Sequence, residues 1–296
     1  MFAMSIASVV ASTEFNALKY RQDFMTISTV QLETEKPSGK FFGTGFFYKI
    51  QHPNDPKRYQ VVIMTNKHVL ENASRMIAVC PLAENGVAMR GTNVVQIVAE
   101  QPYALAYKHP DNGVDLCAIP ITALLEGAQK RGRTVLYAAY TRDLLADDKC
   151  FDKLRQLDTV IMIGYPSCLK DEVNQQPIFR TGTLATNPSL DFKGRSEFVL
   201  DIPNYGGSSG SPVVLFDEGK YWSHEGYNNA ALVMGSRFKL LGVNYAHYTA
   251  TSPGCAIVPG QNQGALPVVS KIPNNTALVI KASRIRELEN EIIKIQ

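Results

Sequence analysis

The sequence predicts an all-β fold built from barrels or sandwiches. Short apolar segments rich in Val, Ile, Thr and aromatic residues recur along most of the 296 residues, and clusters of Pro, Gly, Asn and Asp separate them. Helical periodicity is rare, and the regular alternation of strands and helices that marks a parallel sheet is almost absent. With 45% apolar residues, the chain can bury one large core or two smaller ones.

Ten segments have the composition of strands, and turn-forming residues bound most of them. Five precede residue 123: FMTISTVQL, GTGFFYKI, YQVVIMT, NVVQIVAE and VDLCAIPI. Five follow residue 157: TVIMIGYP, FRTGTLAT, EFVLDIP, SPVVLF and FKLLGVNYAH. Residues 252–267 are rich in Gly and Pro, so we predict a loop there.

Two other regions have helical character. Residues 123–157 are more charged than their surroundings and compatible with helix, so we interpret them as a linker and insertion between two β halves. Near the end of the chain, isoleucines and a leucine recur at helical spacing, which predicts an amphipathic terminal helix. The predicted organisation is an N-terminal segment with the first β half, the insertion, the second β half and the terminal helix: 1–122, 123–157, 158–280 and 281–296.

Composition excludes several classes of protein. The net charge is +3 and only 19% of residues are charged, without long runs, which argues against nucleic acid as a partner. No window of about 18 apolar residues predicts a membrane span. The five cysteines are odd in number and widely spaced, which matches neither a disulfide framework nor a zinc site. We therefore predict a protein of a reducing compartment, the cytoplasm, without metal or cofactor.

The first residues of the chain raise the question of a secretory signal. They have a short apolar centre but lack the positively charged region that such a signal needs. The spacing of Ile6, Val9, Val10 and Leu18 instead predicts an amphipathic helix.

The stretch GGSSGSP, residues 206–212, places a flexible loop directly before an apolar segment. A Ser hydroxyl attacks a carbonyl group only when a base accepts its proton and donors bind the oxyanion that forms. Glycines allow such a loop to curl so that its backbone N–H groups point inward. Ser209 is therefore the candidate nucleophile.

A histidine and a carboxylate that suit this serine lie upstream. His68 follows a strongly apolar strand, which would hold its imidazole in place. Asp115 begins another apolar segment, where an unpaired carboxylate would be costly to bury, and it would orient the ring and select its tautomer. His52 and His109 lie beside turn residues, and we predict that they are solvated loop residues.

Taken in order, these segments resemble the chymotrypsin/trypsin-like serine peptidases, and most of all the bacterial trypsin-like peptidase domains. The matching segments are GTGFFY, MTNKHV, VDLCAI, MIGYP, FRTGTLA, GGSSGSPVV and LLGVNYA. The resemblance implies two six-stranded antiparallel β-barrels with the active site in the cleft between them. It implies His68 as general base, Asp115 as its orienting partner and Ser209 as nucleophile. The backbone amides of Gly207 and Ser209 would bind the oxyanion.

The resemblance also implies where a substrate side chain would lie. The strand after the nucleophile would line the first specificity pocket, and Pro203 would form its base without a charge, so a preference for Lys or Arg is not expected. Asn204, Asn244 and His247 would make a polar pocket for Gln, Glu or a small polar side chain, with Tyr245 beside them. The alternative is that these groups satisfy local hydrogen bonds.

Two functions stay open. The first is a serine endopeptidase that cuts polypeptide substrates through an acyl-enzyme, and the presence of all three triad residue types favours it. The second is a catalytically silent or latent module on the same fold that binds peptides or partner proteins. Ser208 stands where the family usually has Asp or Asn, so activation by a freed N-terminus is not expected.

Overall fold

The computed structural model describes residues 20–55, 57–84, 87–88, 94–171, 173–225, 229–256 and 266–295. The helices are α1 (Arg21–Ser28), α2 (Lys67–Leu70), α3 (Pro102–Leu105), α4 (Thr122–Lys130), α5 (Asp148–Asp152) and α6 (Ala282–Ile295). In that part of the chain, no helix is long and apolar enough to span a membrane.

The strands of the first half are β1 (Thr29–Lys36), β2 (Gly39–Gln51), β3 (Tyr59–Thr65), β4 (Arg75–Pro81), β5 (Ala83–Glu84), β6 (Val87–Ala88), β7 (Val94–Glu100), β8 (Tyr107–Lys108) and β9 (Cys117–Pro120). Those of the second half are β10 (Thr159–Gly164), β11 (Ile178–Leu184), β12 (Glu197–Asp201), β13 (Pro212–Asp217), β14 (Lys220–Glu225), β15 (Asn229–Met234), β16 (Arg237–Ala246), β17 (Thr249–Ala256), β18 (Leu266–Pro273) and β19 (Thr276–Lys281).

The two halves form separate antiparallel sheets, which confirms the predicted all-β, chymotrypsin-like fold class, although the first half has seven strands in its sheet rather than the six expected. In the second half, β10-β11-β12-β19-β16-β13 close into a six-stranded barrel. In the first half, β7-β4-β1-β2-β3-β9-β8 form one seven-stranded sheet, with the two-residue β8 at its edge. Two hairpins, β14–β15 and β17–β18, pair only within themselves among the described strands.

The prediction of a strand from Phe24 was wrong in its first five residues. Residues 24–28 belong to α1, and the strand begins at Thr29. Phe24, Met25 and Ser28 are buried at helical spacing, and the Phe24 ring packs edge-on against the ring of Tyr140 at 5.0 Å. Burial of one helix face against the insertion therefore overrides the β propensity of this segment.

The predicted loop at 252–267 was also wrong at both of its ends. Residues 252–256 belong to β17 and residues 266–267 to β18, while residues 257–265 lie outside the described residues. Gly and Pro at exposed edge positions do not prevent pairing, although they remove the local signal for it. The amphipathic helix predicted near the N-terminus likewise lies outside the described residues.

The terminal helix and the insertion tie the two halves together. Helix α6 is confirmed, with Ile285, Leu288 and Ile292 buried in a core that reaches both sheets. The insertion contributes more than a linker, because the Tyr140 backbone exchanges hydrogen bonds with two residues of β2, each 2.9 Å long. Both elements therefore help to hold the two halves together.

Candidate active site

His68 and Asp115 are in direct contact at the edge of the first sheet. His68 lies on the single turn α2 directly after β3, and Asp115 lies two residues before β9, the strand that pairs with β3. The His68 Nδ1 atom is 2.5 Å from the Asp115 Oδ2 atom, and the His68 backbone N–H donates to Oδ1 at 3.1 Å. One carboxylate therefore holds both the ring and the backbone of His68.

The electrostatics of this pair favour one tautomer of the histidine. Burial by itself raises the pKa of Asp115, but the hydrogen bond and charge of His68, together with backbone amides, outweigh it, so the pKa of Asp115 lies below its ordinary value. An ionised carboxylate can only accept, so Nδ1 carries the proton that it shares with Asp115. The Nε2 atom of a neutral His68 is then free to accept a proton.

Neighbouring side chains fix the segments that carry this pair. The buried Asn66 donates from Nδ2 to the Asp115 carbonyl at 2.7 Å, and Lys36 donates from Nζ to the His68 carbonyl at 2.8 Å. Lys67 Nζ lies 3.2 Å from the His109 carbonyl oxygen. Sequence reasoning missed these residues because their partners lie as many as 49 positions away along the chain.

The prediction that His109 is a solvated loop residue was wrong. It is only 2% exposed, and its Nε2 atom lies 3.3 Å from a carboxylate oxygen of Glu287 on α6. Desolvation lowers its pKa below the ordinary value. Packing of α6 over this loop, invisible in the local sequence, covers the ring.

The loop that carries Ser209 is docked onto the first sheet through Thr44 of β2. The Thr44 backbone N–H donates to the Ser209 carbonyl at 2.8 Å, and its Oγ1 donates to the Gly207 carbonyl at 2.9 Å. Thr65 Oγ1 donates in turn to the Thr44 carbonyl at 2.8 Å. Thr65 lies three residues before His68, so the loop is fastened to the strand end that carries the imidazole.

The two backbone amides predicted to bind an oxyanion have no hydrogen-bond acceptor within the described part of the protein. Within the described part of the chain, the N–H groups of Gly207 and Ser209 donate to no carbonyl or side chain. Gly207 has φ +89°, a left-handed conformation that glycine adopts without strain. The neighbouring amides of Ser208 and Gly210 are bonded, to the Tyr205 carbonyl at 3.1 Å and the Asn244 carbonyl at 2.8 Å.

Ser209 and His68 are not hydrogen-bonded to each other. Ser209 is partly exposed, the His68 side chain is 45% exposed, and no bond between the two is present among the described residues. Ser208 is buried beside them, and its Oγ has no hydrogen-bond partner in the described chain. The structure therefore fastens the loop to the strand end that precedes His68, without a hydrogen bond from the Ser209 hydroxyl to the ring.

The residues predicted to form a specificity pocket lie around this loop. Asn204 and Asn244 are each 1% exposed, and their side-chain amides bond to each other at 3.0 Å. Asn244 Nδ2 also donates to the Ser208 carbonyl at 2.8 Å. Asn244 therefore braces the loop that carries Ser209, and Asn204 supports Asn244. A role for either amide in substrate binding stays a prediction. His247 is half-buried and directly follows β16.

Tyr245 and Pro203 have further partners. Tyr245 donates from its hydroxyl to Glu197 at 2.9 Å. Pro203 is exposed, and its carbonyl accepts a 2.7 Å hydrogen bond from the guanidinium of Arg180, which also lies over the Tyr205 ring. Arg180 has no carboxylate partner among the described residues. Sequence reasoning missed this cation, since only pairing of β11 with β12 brings it here.

The architecture is that of the chymotrypsin fold of serine proteases. The trypsin-like peptidase domain family matches residues 43–221, more than half of the chain. The chain therefore belongs to the family of trypsin-like peptidase domains. Comparison with curated proteins gives no match.

Solved structures of proteases are similar to this chain at low identity. They include the thermostable serine protease AL20 from an extremophilic microorganism, at 14% identity over 91% of this chain and 98% of that one, with a TM-score of 0.48. Protease Anisep from Arthrobacter nicotinovorans has 15% identity over 90% and 96%, with a TM-score of 0.47. The HtrA-type protease AlgW with a tripeptide has 15% identity and a TM-score of 0.46, and this chain, 91% of which aligns, spans 61% of its length.

Metal-ligating side chains do not cluster in the described residues. No group of three or more His, Cys, Asp or Glu side chains there is placed to hold a metal ion. Cys80, Cys117, Cys150 and Cys255 are unpaired, and burial raises the pKa of the Cys150 thiol to about 11.

Proposed function

We propose that the protein is a serine endopeptidase whose triad is His68, Asp115 and Ser209. The observation that carries the proposal is the Asp115-bound imidazole of His68, placed on the strand end to which the Ser209 loop is fastened through Thr44 and Thr65. Proteases share this constellation on several unrelated folds, so its geometry carries more weight than sequence position.

The residues support an acyl-transfer mechanism. Ser209 Oγ would attack the scissile carbonyl carbon while His68 Nε2 takes its proton, and Asp115 would stabilise the imidazolium. The unbonded amides of Gly207 and Ser209 would bind the oxyanion, and removal of one such donor typically costs about 100- to 1,000-fold in turnover. His68 would then protonate the leaving amine, and a water molecule activated by the same ring would release the acyl group.

The charges around Pro203 bear on which substrate side chain the pocket would accept. The predicted base of the pocket has no negative charge, and the guanidinium of Arg180 lies at the Pro203 carbonyl. A positive charge there would repel Lys and Arg and attract acidic side chains. We propose that the side chain before the scissile bond is polar or acidic.

A covalent probe tests the central proposal. A fluorophosphonate forms a bond to an activated serine, so the wild-type protein is expected to be labelled and Ser209→Ala is not. Ser208→Ala is a matched control, because this adjacent hydroxyl is buried without a partner. Equal labelling of wild type and Ser209→Ala would exclude Ser209 as nucleophile.

The second candidate function is a silent or latent peptide-binding module. The missing hydrogen bond between Ser209 and His68 favours it, although apo enzymes often show long catalytic contacts that tighten with substrate. If the folded wild-type protein binds unfolded polypeptide but takes up no fluorophosphonate, this second function stands. Location in a reducing compartment stays a prediction.

A further inference from the structure

A two-stranded hairpin projects from the second barrel beside the nucleophile loop. We call β17 and β18 together the arm. The two strands pair with each other over eight residues and with no other described strand. They continue β16 and β19 respectively, with only two residues between β16 and β17 and two between β18 and β19. The arm is therefore an outward extension of two barrel strands.

Hydrogen bonds at the base of the arm fix its direction. Asn274 N–H donates to the Tyr248 carbonyl at 3.2 Å, and Tyr248 N–H donates to Thr276 Oγ1 at 3.3 Å. Lys193 on the barrel donates to the Tyr248 hydroxyl at 3.1 Å. These hydrogen bonds fix the orientation of the arm relative to β16.

One edge of the arm opens toward the nucleophile loop. Within the barrel, β16 lies between β13 and β19. Since β18 leads into β19, β18 covers that side of β17, and the side that corresponds to β13 is uncovered. At the start of this side, Asn244 N–H donates to the Ser211 carbonyl at 2.9 Å and its carbonyl accepts from Gly210 at 2.8 Å. The open edge thus begins where the nucleophile loop ends.

The alternation of backbone groups identifies what this edge offers. Tyr248 directs its N–H and carbonyl toward the β19 side, so His247, Thr249 and Thr251 direct theirs outward. The positions of the prolines are consistent with this assignment. Proline has no N–H group to donate, and Pro253, Pro267 and Pro273 all lie in the cross-strand pairs that include the outward-facing β17 positions. Apart from pairing within the arm, His247, Thr249 and Thr251 bond to no described residue.

An open edge of this kind is available for pairing with another extended chain. Two-stranded hairpins are marginally stable by themselves, and free edges pair readily with another extended chain. The arm is exposed on both faces, with Val269 69% and Ile272 50% exposed. Pro253 has no N–H group and interrupts pairing farther out. The usable edge therefore runs from His247 to Thr251.

We propose that this edge binds the polypeptide substrate as an added strand, so that pairing begun beside Ser209 continues along the arm. The inference rests on the proposed peptidase function. The edge from His247 to Thr251 is about 13 Å long and accommodates about four further substrate residues in extended form. The substrate class is an unfolded or locally extended polypeptide, because strand addition needs a segment whose backbone N–H and carbonyl groups are free to pair.

Peptide length provides the kinetic test. The probes are an octapeptide around the first cleavage site found in reduced, carboxymethylated α-lactalbumin and two versions lengthened by six native residues before or after the scissile bond. Wild type is expected to cut one lengthened peptide with kcat/KM about tenfold higher than the octapeptide, as a few added hydrogen bonds would give. Replacement of 249–273 by Gly-Gly should abolish this gain and leave octapeptide cleavage and fluorophosphonate labelling unchanged.

Two controls separate the arm from general damage. Deletion of the β14–β15 hairpin, whose flanking Gly219 and Gly235 are hydrogen-bonded at 3.0 Å, removes a similar element at the other end of β13 and β16 and should keep the gain. Thr251→Pro removes one outward N–H group and should reduce the gain, whereas Thr251→Val keeps that group and should not. A length gain that survives arm deletion would overturn the proposal.

Binding keeps the test independent of catalysis. Ser209→Ala is expected to bind fluorescein-labelled carboxymethylated α-lactalbumin about tenfold more tightly with the arm than without it, measured by anisotropy. If wild type cuts nothing but this difference is found, the peptidase proposal fails and the arm proposal stands. If arm deletion changes only the oligomeric state in sedimentation velocity, the edge joins copies of this chain and the proposal is wrong.

Discussion

Gly210, the residue after the candidate nucleophile, lies directly against the backbone of Thr44. A Cβ atom at Gly210 would be 1.9 Å from the Thr44 carbonyl oxygen and 2.5 Å from Thr65 Oγ1, and the residue has φ +88°. Both the space and the backbone conformation therefore require glycine. This contact sets how closely the loop of the second barrel approaches the strand end that carries His68.

Gly210→Ala is expected to displace the loop and abolish fluorophosphonate labelling. Forcing a side chain against backbone in a left-handed conformation should also lower the free energy of unfolding by about 2–4 kcal/mol. Urea unfolding and labelling measure the two effects. Gly206→Ala is the control for stability, because a Cβ there meets nothing within 4 Å. Wild-type labelling of Gly210→Ala would show that the loop position is unimportant.

Asp115→Asn is expected to reduce turnover about 10,000-fold with little change in fold. The amide no longer requires a proton on His68 Nδ1, so Nε2 becomes protonated and cannot accept from Ser209. The value of kcat on a peptide substrate measures the effect. Asp111→Asn, in the same loop, should stay within a few-fold of wild type. Retention of a tenth of wild-type kcat by Asp115→Asn would argue against its role.

The sequence was sufficient to predict the elements that depend on local pattern. Apolar strands bounded by turn residues placed β3 and β9, and with them the contact of His68 with Asp115. The terminal helix followed from the spacing of Ile285, Leu288 and Ile292. Each of these patterns repeats within a few residues, so it can be recognised from the sequence alone.

What could not be predicted depends on contacts between distant segments. Thr44 meets Gly207 across 163 positions, and neither residue type signals the other. Arg180 reaches Pro203 only through strand pairing, and the exposed arm shows no period that separates a strand from a Gly- and Pro-containing loop. Tertiary packing determines such features, and local sequence propensity does not predict them.

Arg180→Gln is expected to change substrate preference rather than general activity. Without the guanidinium, kcat/KM for a peptide with Glu before the scissile bond should fall about tenfold and that for Lys should rise. Paired peptides that differ only at this position measure the ratio. Arg133→Gln, an exposed site on the insertion, is the control. An unchanged Glu-to-Lys ratio in Arg180→Gln would place the cation outside the pocket.

Glu289 is expected to make stability depend on pH. Its pKa is raised above 4.5 by burial, although the Tyr48 hydroxyl at 3.0 Å and Arg142 at 3.1 Å oppose the shift. Between 4.5 and the raised pKa, the folded protein binds the proton more tightly than the unfolded chain, so this residue lowers the free energy of unfolding as pH rises through that interval.

Glu289→Gln keeps an acceptor for Tyr48 and Arg142 but cannot ionise, so the decline in stability above pH 4.5 should become shallower in this variant. Urea unfolding across a series of pH values from acid to neutral measures the slope. Glu291→Gln on the same helix is the matched control, because that side chain is 41% exposed and pairs with Lys294. If Glu289→Gln and wild type lose stability in parallel as pH rises, another buried group is responsible. A shallower slope in Glu289→Gln with none in Glu291→Gln would assign the effect to the carboxylate that joins α6 to β2.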